Sequence, residues 1–261
     1  MPATDLGLLV EAAEAAGRIA LRHFGRSPET WVKEGGAGPV TEADLEIDRM
    51  LRAELLGARP DYGWLSEETE DGPARLEAER AFVVDPLDGT RAFIAGEGNF
   101  AHSLAVVERG RVTAGVVHLP KLGRTYTAAL GQGARRDGVP IRASGQAEAD
   151  GARVLTPSHS LRPEHWPGGV PRVSRHFRTS IAYRLCLAAE GRFDAMLTLR
   201  ETWEWDVAAG SLAAAEAGAV VTTATGEAPV FNRAVPRLPG IVAAGPALHR
   251  ALMARLRPGV G

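Results

Sequence analysis

The chain has 261 residues, 30 Lys+Arg against 32 Asp+Glu, a formal net charge of −2 and one cysteine. That length exceeds the usual domain mode of roughly 100–150 residues and leaves ample chain for two coupled lobes or one large α/β unit around a sizeable core. The near-neutral balance argues against a general binder of nucleic acid polymers or anionic membranes, and a single cysteine excludes both a disulfide framework and a cysteine-built zinc cluster.

Residues 4–24 read as an amphipathic helix, with Leu8, Leu9, Ala12, Ala16, Ile19, Ala20 and Phe24 at helical spacing and Gly25 as a stop. Asp5, Glu11 and Glu14 leave no basic n-region, so this is no secretory signal. No uncharged apolar run approaches the roughly 18 residues of a membrane span, and a cytoplasmic protein is the expectation. Gly35, Gly36 and Gly38 mark a loop closed by Pro39, with Lys33 just upstream read as a solvated loop residue. A second helix is expected over residues 42–56, then a short strand at 62–65 and an acidic, irregular stretch over 66–80 with a short helix after Pro73. Residues 81–84 form a compact apolar run ending on Asp85, which suits a buried strand. Strands at 103–107 and 112–118 flank the hairpin signal at 108–111, and 124–130 extends the meander. The second half alternates: a strand at 154–156, a Pro-rich loop at 160–172, a helix at 179–190, a strand at 193–199, a helix at 207–217, a strand at 240–244 and a helix at 247–256. Cys186 falls within the first of these helices and reads as a small core hydrophobe. Strands followed by helices imply sheets covered on both faces. The lobe boundary is placed near 143–152, giving an N-terminal α+β lobe over 1–145 and a C-terminal α/β lobe over 146–261.

Four segments carry chemistry. In Asp85-Pro86-Leu87-Asp88-Gly89-Thr90, a strand delivers Asp85, Pro86 fixes the backbone and Gly89 permits a tight turn. Two carboxylates three residues apart, with the Leu87 carbonyl, can converge on hard cations such as Mg²⁺ or Mn²⁺; a plain Asp-Pro turn is the competing reading. Glu67-Glu68-Thr69-Glu70-Asp71 reads as a solvated acidic loop, except that Glu67 follows the apolar Trp64-Leu65 and a strand end would turn it inward. In Trp203-Glu204-Trp205-Asp206, Asp206 precedes a helical run as an N-cap or as a metal ligand beside a positive helix end; Ala208, Ala209 and Gly210 allow close packing or close ligand approach. Thr41 and Asp44 fit a capping-box start to the second helix, with a catalytic role for Asp44 equally open. No Walker A loop, Gly-x-Ser-x-Gly elbow, His-Glu-x-x-His pair or Rossmann glycine fingerprint opening a helix is present.

Taken in order, these motifs resemble the inositol monophosphatase-like family of metal-dependent phosphatases from about Val40 to the C-terminus: Glu67-Glu68, then Asp85 to Thr90, then Trp205-Asp206 before a small-residue helix. The resemblance implies a layered αβαβα sandwich of the inositol monophosphatase/fructose-1,6-bisphosphatase type (an α/β, α+β fold), usually a homodimer, acting on a small phosphorylated metabolite. It implies two Mg²⁺ ions, with a third weaker one and with Mn²⁺ as a substitute. Glu67, Asp85 and the Leu87 carbonyl would hold the first; Asp85, Asp88 and Asp206 the second; Glu67 would share the third through waters. The Gly89 and Thr90 amides would bind phosphate, and Asp44 with the Thr90 hydroxyl would orient and deprotonate the attacking water.

The wording at 38–44, 65–68, 96–100, 184–191 and 204–206 looks most like the 3'(2'),5'-bisphosphate nucleotidase branch, whereas 91–94 is equally similar to the histidinol-phosphatase branch. A bisphosphate needs a cation outside the acidic cluster, and Arg175, Arg178 and Arg184 are the candidates, with Arg184 preferred. Inositol 1-phosphate and histidinol phosphate are the alternative substrates, and a catalytically silent binder of a phosphorylated metabolite is the alternative class. A hard all-oxygen site whose second cation exchanges during turnover implies sensitivity to millimolar lithium.

Overall fold

The computed structural model describes residues 4–26, 29–32 and 38–256. Lys33 and most of the glycine-rich loop lie outside the described residues. In chain order the elements are α1 (Asp5–His23), β1 (Thr30–Val32), β2 (Pro39–Thr41), α2 (Glu42–Ala58), β3 (Gly63–Ser66), β4 (Arg80–Asp88), α3 (Thr90–Ile94), β5 (Ala101–Glu108), β6 (Arg111–Leu119), β7 (Arg124–Ala129), β8 (Ala134–Arg136) and β9 (Val139–Pro140). There follow β10 (Arg153–Leu155), β11 (Ser174–His176), α4 (Ile181–Ala189), β12 (Ala195–Thr198), β13 (Thr202–Trp203), α5 (Glu204–Glu216), β14 (Val220–Thr222), β15 (Arg237–Leu238), β16 (Ile241–Ala244) and α6 (Pro246–Leu256).

A seven-stranded sheet runs in order β3-β4-β5-β6-β7-β8-β9, antiparallel except for the parallel β3–β4 pair. A five-stranded sheet runs β11-β10-β12-β16-β14, parallel across β11-β10-β12 and antiparallel at β16. Side-chain alternation divides the first sheet between two cores. Phe82, Val84, Leu104 and Val106 pack against α1 and α2 on one face. Val83, Ala105, Val107 and Val117 pack against α4 and α5 on the other. Because both faces are covered, β4 and β5 read as continuous apolar runs. Helix α6 closes the far face of the second sheet with Leu248, Leu252 and Leu256. The layers are therefore α1α2, seven strands, α4α5, five strands and α6, which is the αβαβα sandwich.

The middle layer explains the composition of α5. From Val207 to Ala214 every side chain is buried, so the helix has no polar face. Its small residues serve packing: a Cβ on Gly210 would lie 2.7 Å from the Leu185 Cβ of α4. Cys186 is buried at the centre of the same layer. The structure moves the start of α5 three residues forward of the expected 207, with Trp203 at the cap position, so Asp206 lies inside the first turn and is not the N-cap. Among the described residues no helix is long and apolar enough to cross a membrane.

Candidate active site

The site begins at an irregularity in β4. Asp85 pairs with Ser103 and Asp88 with Ala101, so β4 uses one more residue than β5 between these pairs, and the Pro86-Leu87 segment bulges. Pro86 has no N–H to lose from the ladder, and its carbonyl accepts from His102 Nδ1 at 2.5 Å. That bond leaves His102 Nε2 buried and unpaired, and burial drives the imidazole pKa down to about 3, so the ring is neutral. The Leu87 amide donates to Asp85 Oδ1 at 2.9 Å, which fixes one oxygen of that carboxyl. Gly89 then takes φ +102° and opens α3.

Asp85 Oδ2 is buried with no hydrogen-bond partner. Oxygens of Glu67, Asp85 and Asp206 all lie within 4.8 Å of one another. They come from the end of β3, from the β4 bulge and from the first turn of α5. Burial, reinforced by the charge of Glu67, holds Asp85 well above the usual carboxylate range. Burial, with Asp88 and then Glu67 nearby, does the same to Asp206. Such a cluster is self-repelling, and a hard divalent cation is the group that an all-oxygen set of this kind accommodates. The residues present therefore fit a metal.

Asp88 stands beside this group with its oxygens engaged. Oδ2 accepts from Ser180 Oγ at 2.6 Å and from the Ala182 amide at 2.7 Å, and Oδ1 accepts from the Ile181 amide at 3.2 Å. It does not bond its own turn, as a plain Asp-Pro turn would have it. It holds the N-terminus of α4 instead, and burial lifts its pKa to about 6 against those bonds. Asp44 closes the capping box predicted for α2: its Oδ2 accepts from the Thr41 amide at 2.9 Å and from the Thr41 hydroxyl. Its other oxygen, Oδ1, lies 3.1 Å from Thr90 Oγ1, which is also 3.1 Å from the Leu87 carbonyl. Burial lifts Asp44 to about 6. One carboxylate thus both closes the cap and reaches the hydroxyl of Thr90.

Glu67, Asp85, Asp88 and Asp206 line a cleft of about 760 Å³ that holds both acidic and basic side chains. Arg91, His159, Arg184, Arg200 and Glu201 line it as well, beside Phe177, and Arg184 stands close enough to Asp88 and Asp206 to interact with their charges. Arg184 is 3% exposed, its Nη1 has no partner, and burial brings its pKa down to about 10, so it stays charged. Its guanidinium lies 5.1 Å from the Phe177 ring. Arg175 and Arg178 are not part of this lining: Arg175 bonds the Thr156 carbonyl and Arg178 its neighbour's, the carbonyl of Phe177. Sequence reasoning missed His159 and Arg200, which come from separate loops with no local pattern to flag them. It also missed Asp48, whose signal was available: it lies four residues after Asp44, on the same helix face.

A sequence model described as the inositol monophosphatase family matches residues 3–259. The chain belongs to the inositol monophosphatase family. An inositol-1-monophosphatase of Rhizobium meliloti is 34% identical over 232 residues, 85% of this chain and 86% of its own. The 3'(2'),5'-bisphosphate nucleotidase CysQ of Salmonella typhimurium is 33% identical over 215 residues, 80% of this chain and 86% of its own. The solved structure of a Thermotoga maritima IMPase is similar with a TM-score of 0.80 at 30% identity, covering 95% of this chain and 94% of that one. The family and these relatives are phosphatases, so this chain is a phosphoric monoester hydrolase acting on small phosphorylated metabolites, within a metal-dependent family.

Proposed function

We propose that this family member is a Mg²⁺-dependent phosphomonoesterase that releases the 3'(2')-phosphate of adenosine 3',5'-bisphosphate. The observation that carries the substrate class is a buried arginine, Arg184, that lines the cleft beside Asp88 and Asp206 with its Nη1 unpaired. One phosphate belongs with cations held by the acidic cluster; a second needs a fixed positive charge of the protein's own. A buried guanidinium with an unpaired Nη1, as at Arg184, suits a bidentate phosphate contact. The nucleotidase name of the Salmonella relative supports the same reading, as the Rhizobium relative supports inositol 1-phosphate as the alternative.

Glu67, Asp85 and the Leu87 carbonyl would hold one ion; Asp85, Asp88 and Asp206 a second, Asp88 using a lone pair that the α4 amides leave over. A third would share Glu67. When bound, the cations neutralise phosphoryl charge and bring the pKa of water toward neutrality. The protein's part is positional and protolytic. The Gly89 and Thr90 amides bind the phosphate. Thr90 Oγ1 accepts a proton from the attacking water as its own passes to Asp44 Oδ1, 3.1 Å away. With a pKa of about 6, Asp44 is ionised at neutral pH and basic enough to receive it. We also propose a cytoplasmic homodimer, for which light scattering is the check on assembly.

The test is phosphate release with Mg²⁺, abolished by EDTA, ranked by kcat/KM across adenosine 3',5'-bisphosphate, inositol 1-phosphate and histidinol phosphate. The bisphosphate should rank first, and millimolar LiCl should inhibit where KCl does not. An inositol or histidinol ester turned over as well as the bisphosphate overturns the substrate. No turnover of any of them with metal present points to a silent binding protein.

A further inference from the structure

We propose that Asp48 is a positioning residue that aims Glu67 into the acidic cluster, a role that rests on reading Glu67 as a metal ligand. Asp48 lies on α2, one turn beyond Asp44, and is 6% exposed. Its two oxygens take two different hydroxyls: Oδ1 accepts from Ser66 Oγ at 2.5 Å and Oδ2 from Thr69 Oγ1 at 2.6 Å. Ser66 and Thr69 bracket Glu67 and Glu68, so the acidic pair forms an arch with both feet on one carboxylate. Each foot is braced again: Trp64 Nε1 donates to Thr69 Oγ1 at 3.2 Å, and the Glu68 amide to Ser66 Oγ at 3.4 Å. The Glu67 amide ties the arch to the Val84 carbonyl, one residue before Asp85, at 3.3 Å.

A charged Asp85 and the carboxylates of Glu67 and Glu68 push against one another. Short hydrogen bonds to a buried carboxylate oppose that push. Among the described residues Asp48 has no ion pair, so its charge is directed at these hydroxyls. The same helix face therefore carries two registers one turn apart: Asp44 reaches Thr90, and Asp48 reaches the Glu67 arch. The stiffness of α2 fixes the distance between the turn after β4 and the acidic loop.

The experiment measures Mn²⁺ binding to the full chain by electron paramagnetic resonance without substrate, together with the Mg²⁺ dependence of turnover. Asp48→Ala should weaken Mn²⁺ binding by up to roughly 10-fold, the low end of what losing a direct partner of a metal ligand costs, because Asp48 acts on Glu67 through Ser66 and Thr69. It should move Mg²⁺ activation to higher concentration while kcat at saturating Mg²⁺ stays within a factor of a few. The Ser66→Ala/Thr69→Val double variant removes both bonds to Asp48 together with those from the Trp64 indole and the Glu68 amide, so it should weaken binding at least as much, and adding Asp48→Ala to it should cost little more. Asp48→Asn, which keeps an oxygen acceptor, should recover part of the affinity. Glu67→Gln is the reference. If it weakens Mn²⁺ binding while Asp48→Ala and the double variant do not, the positioning role is overturned. A fall in kcat with the metal constant unchanged overturns it equally. If Glu67→Gln itself binds Mn²⁺ like the wild type, the ligand reading falls and takes this role with it. Should Asp48→Ala fail to fold, the double variant decides between these outcomes in its place.

Discussion

Asp85 is the carboxylate the site can least spare, because one of its oxygens is fixed by the Leu87 amide and the other is buried without a partner. Asp85→Asn should remove nearly all turnover, whereas Glu70→Gln, on the exposed side of the same acidic segment, should be silent. Retained activity in Asp85→Asn would sink the site assignment. Asp44→Asn separates the two roles of its residue. It keeps an oxygen for the Thr41 amide, so the cap and Tm should change little, but it cannot take a proton, and kcat should fall by about 10²–10⁴-fold. Wild-type kcat in that variant would place the base elsewhere. Arg184→Ala should raise KM for the bisphosphate far more than for inositol 1-phosphate, and an equal effect on both would argue for a general counter-charge to Asp88 and Asp206 instead.

At the scale of the element, the strand-to-helix turn after β4 depends on Gly89. Its φ of +102° strains any side chain, and a Cβ there would sit 3.2 Å from the Asn99 carbonyl oxygen. Gly89→Ala should cost on the order of 1–3 kcal/mol, seen as a lower Tm, and should depress kcat/KM as the turn shifts. Unchanged values of both would mean the turn relaxes freely. This turn was legible in the sequence because its signals are local: an apolar run, a proline, then a glycine. The long helices were legible for the same reason, as in the spacing of Leu9, Ala12, Ala16 and Ile19 along α1. What could not be read depends on distant partners. Trp203-Glu204 did not look like a helix start, since the Glu204 carboxyl is buried on the amides of Asn232 and Arg233, about a tenth of the chain away. Of the basic residues in the cleft, Arg184 was named from the sequence, but His159 and Arg200 were illegible, because they belong to segments far from it and from each other.

For the molecule as a whole, the buried carboxyls set the direction of its pH response. Burial lifts Asp44 and Asp88 to about 6 and holds Asp85 and Asp206 well above the usual 3.8. A raised carboxyl binds its proton more tightly in the folded state, so it stabilises the metal-free protein below the unfolded value and loses that contribution as pH rises through about 6. Buried imidazoles such as His102 act in the opposite direction, so absolute Tm mixes the two. The Mg²⁺-induced rise in Tm isolates the carboxylates. It should be larger at about pH 7.5 than at about pH 5.5, where protons already occupy the cluster, and equal rises would contradict this account. The middle layer offers a way to watch the same event without heating. Cys186 is the chain's one thiol, and it sits between the two sheets in the helix that Asp88 anchors, next to the helix that bears Asp206. A thiol reagent in solution can reach that sulfur only when those helices part, which makes its labelling half-life a stopwatch for the opening of the sandwich at the catalytic cleft.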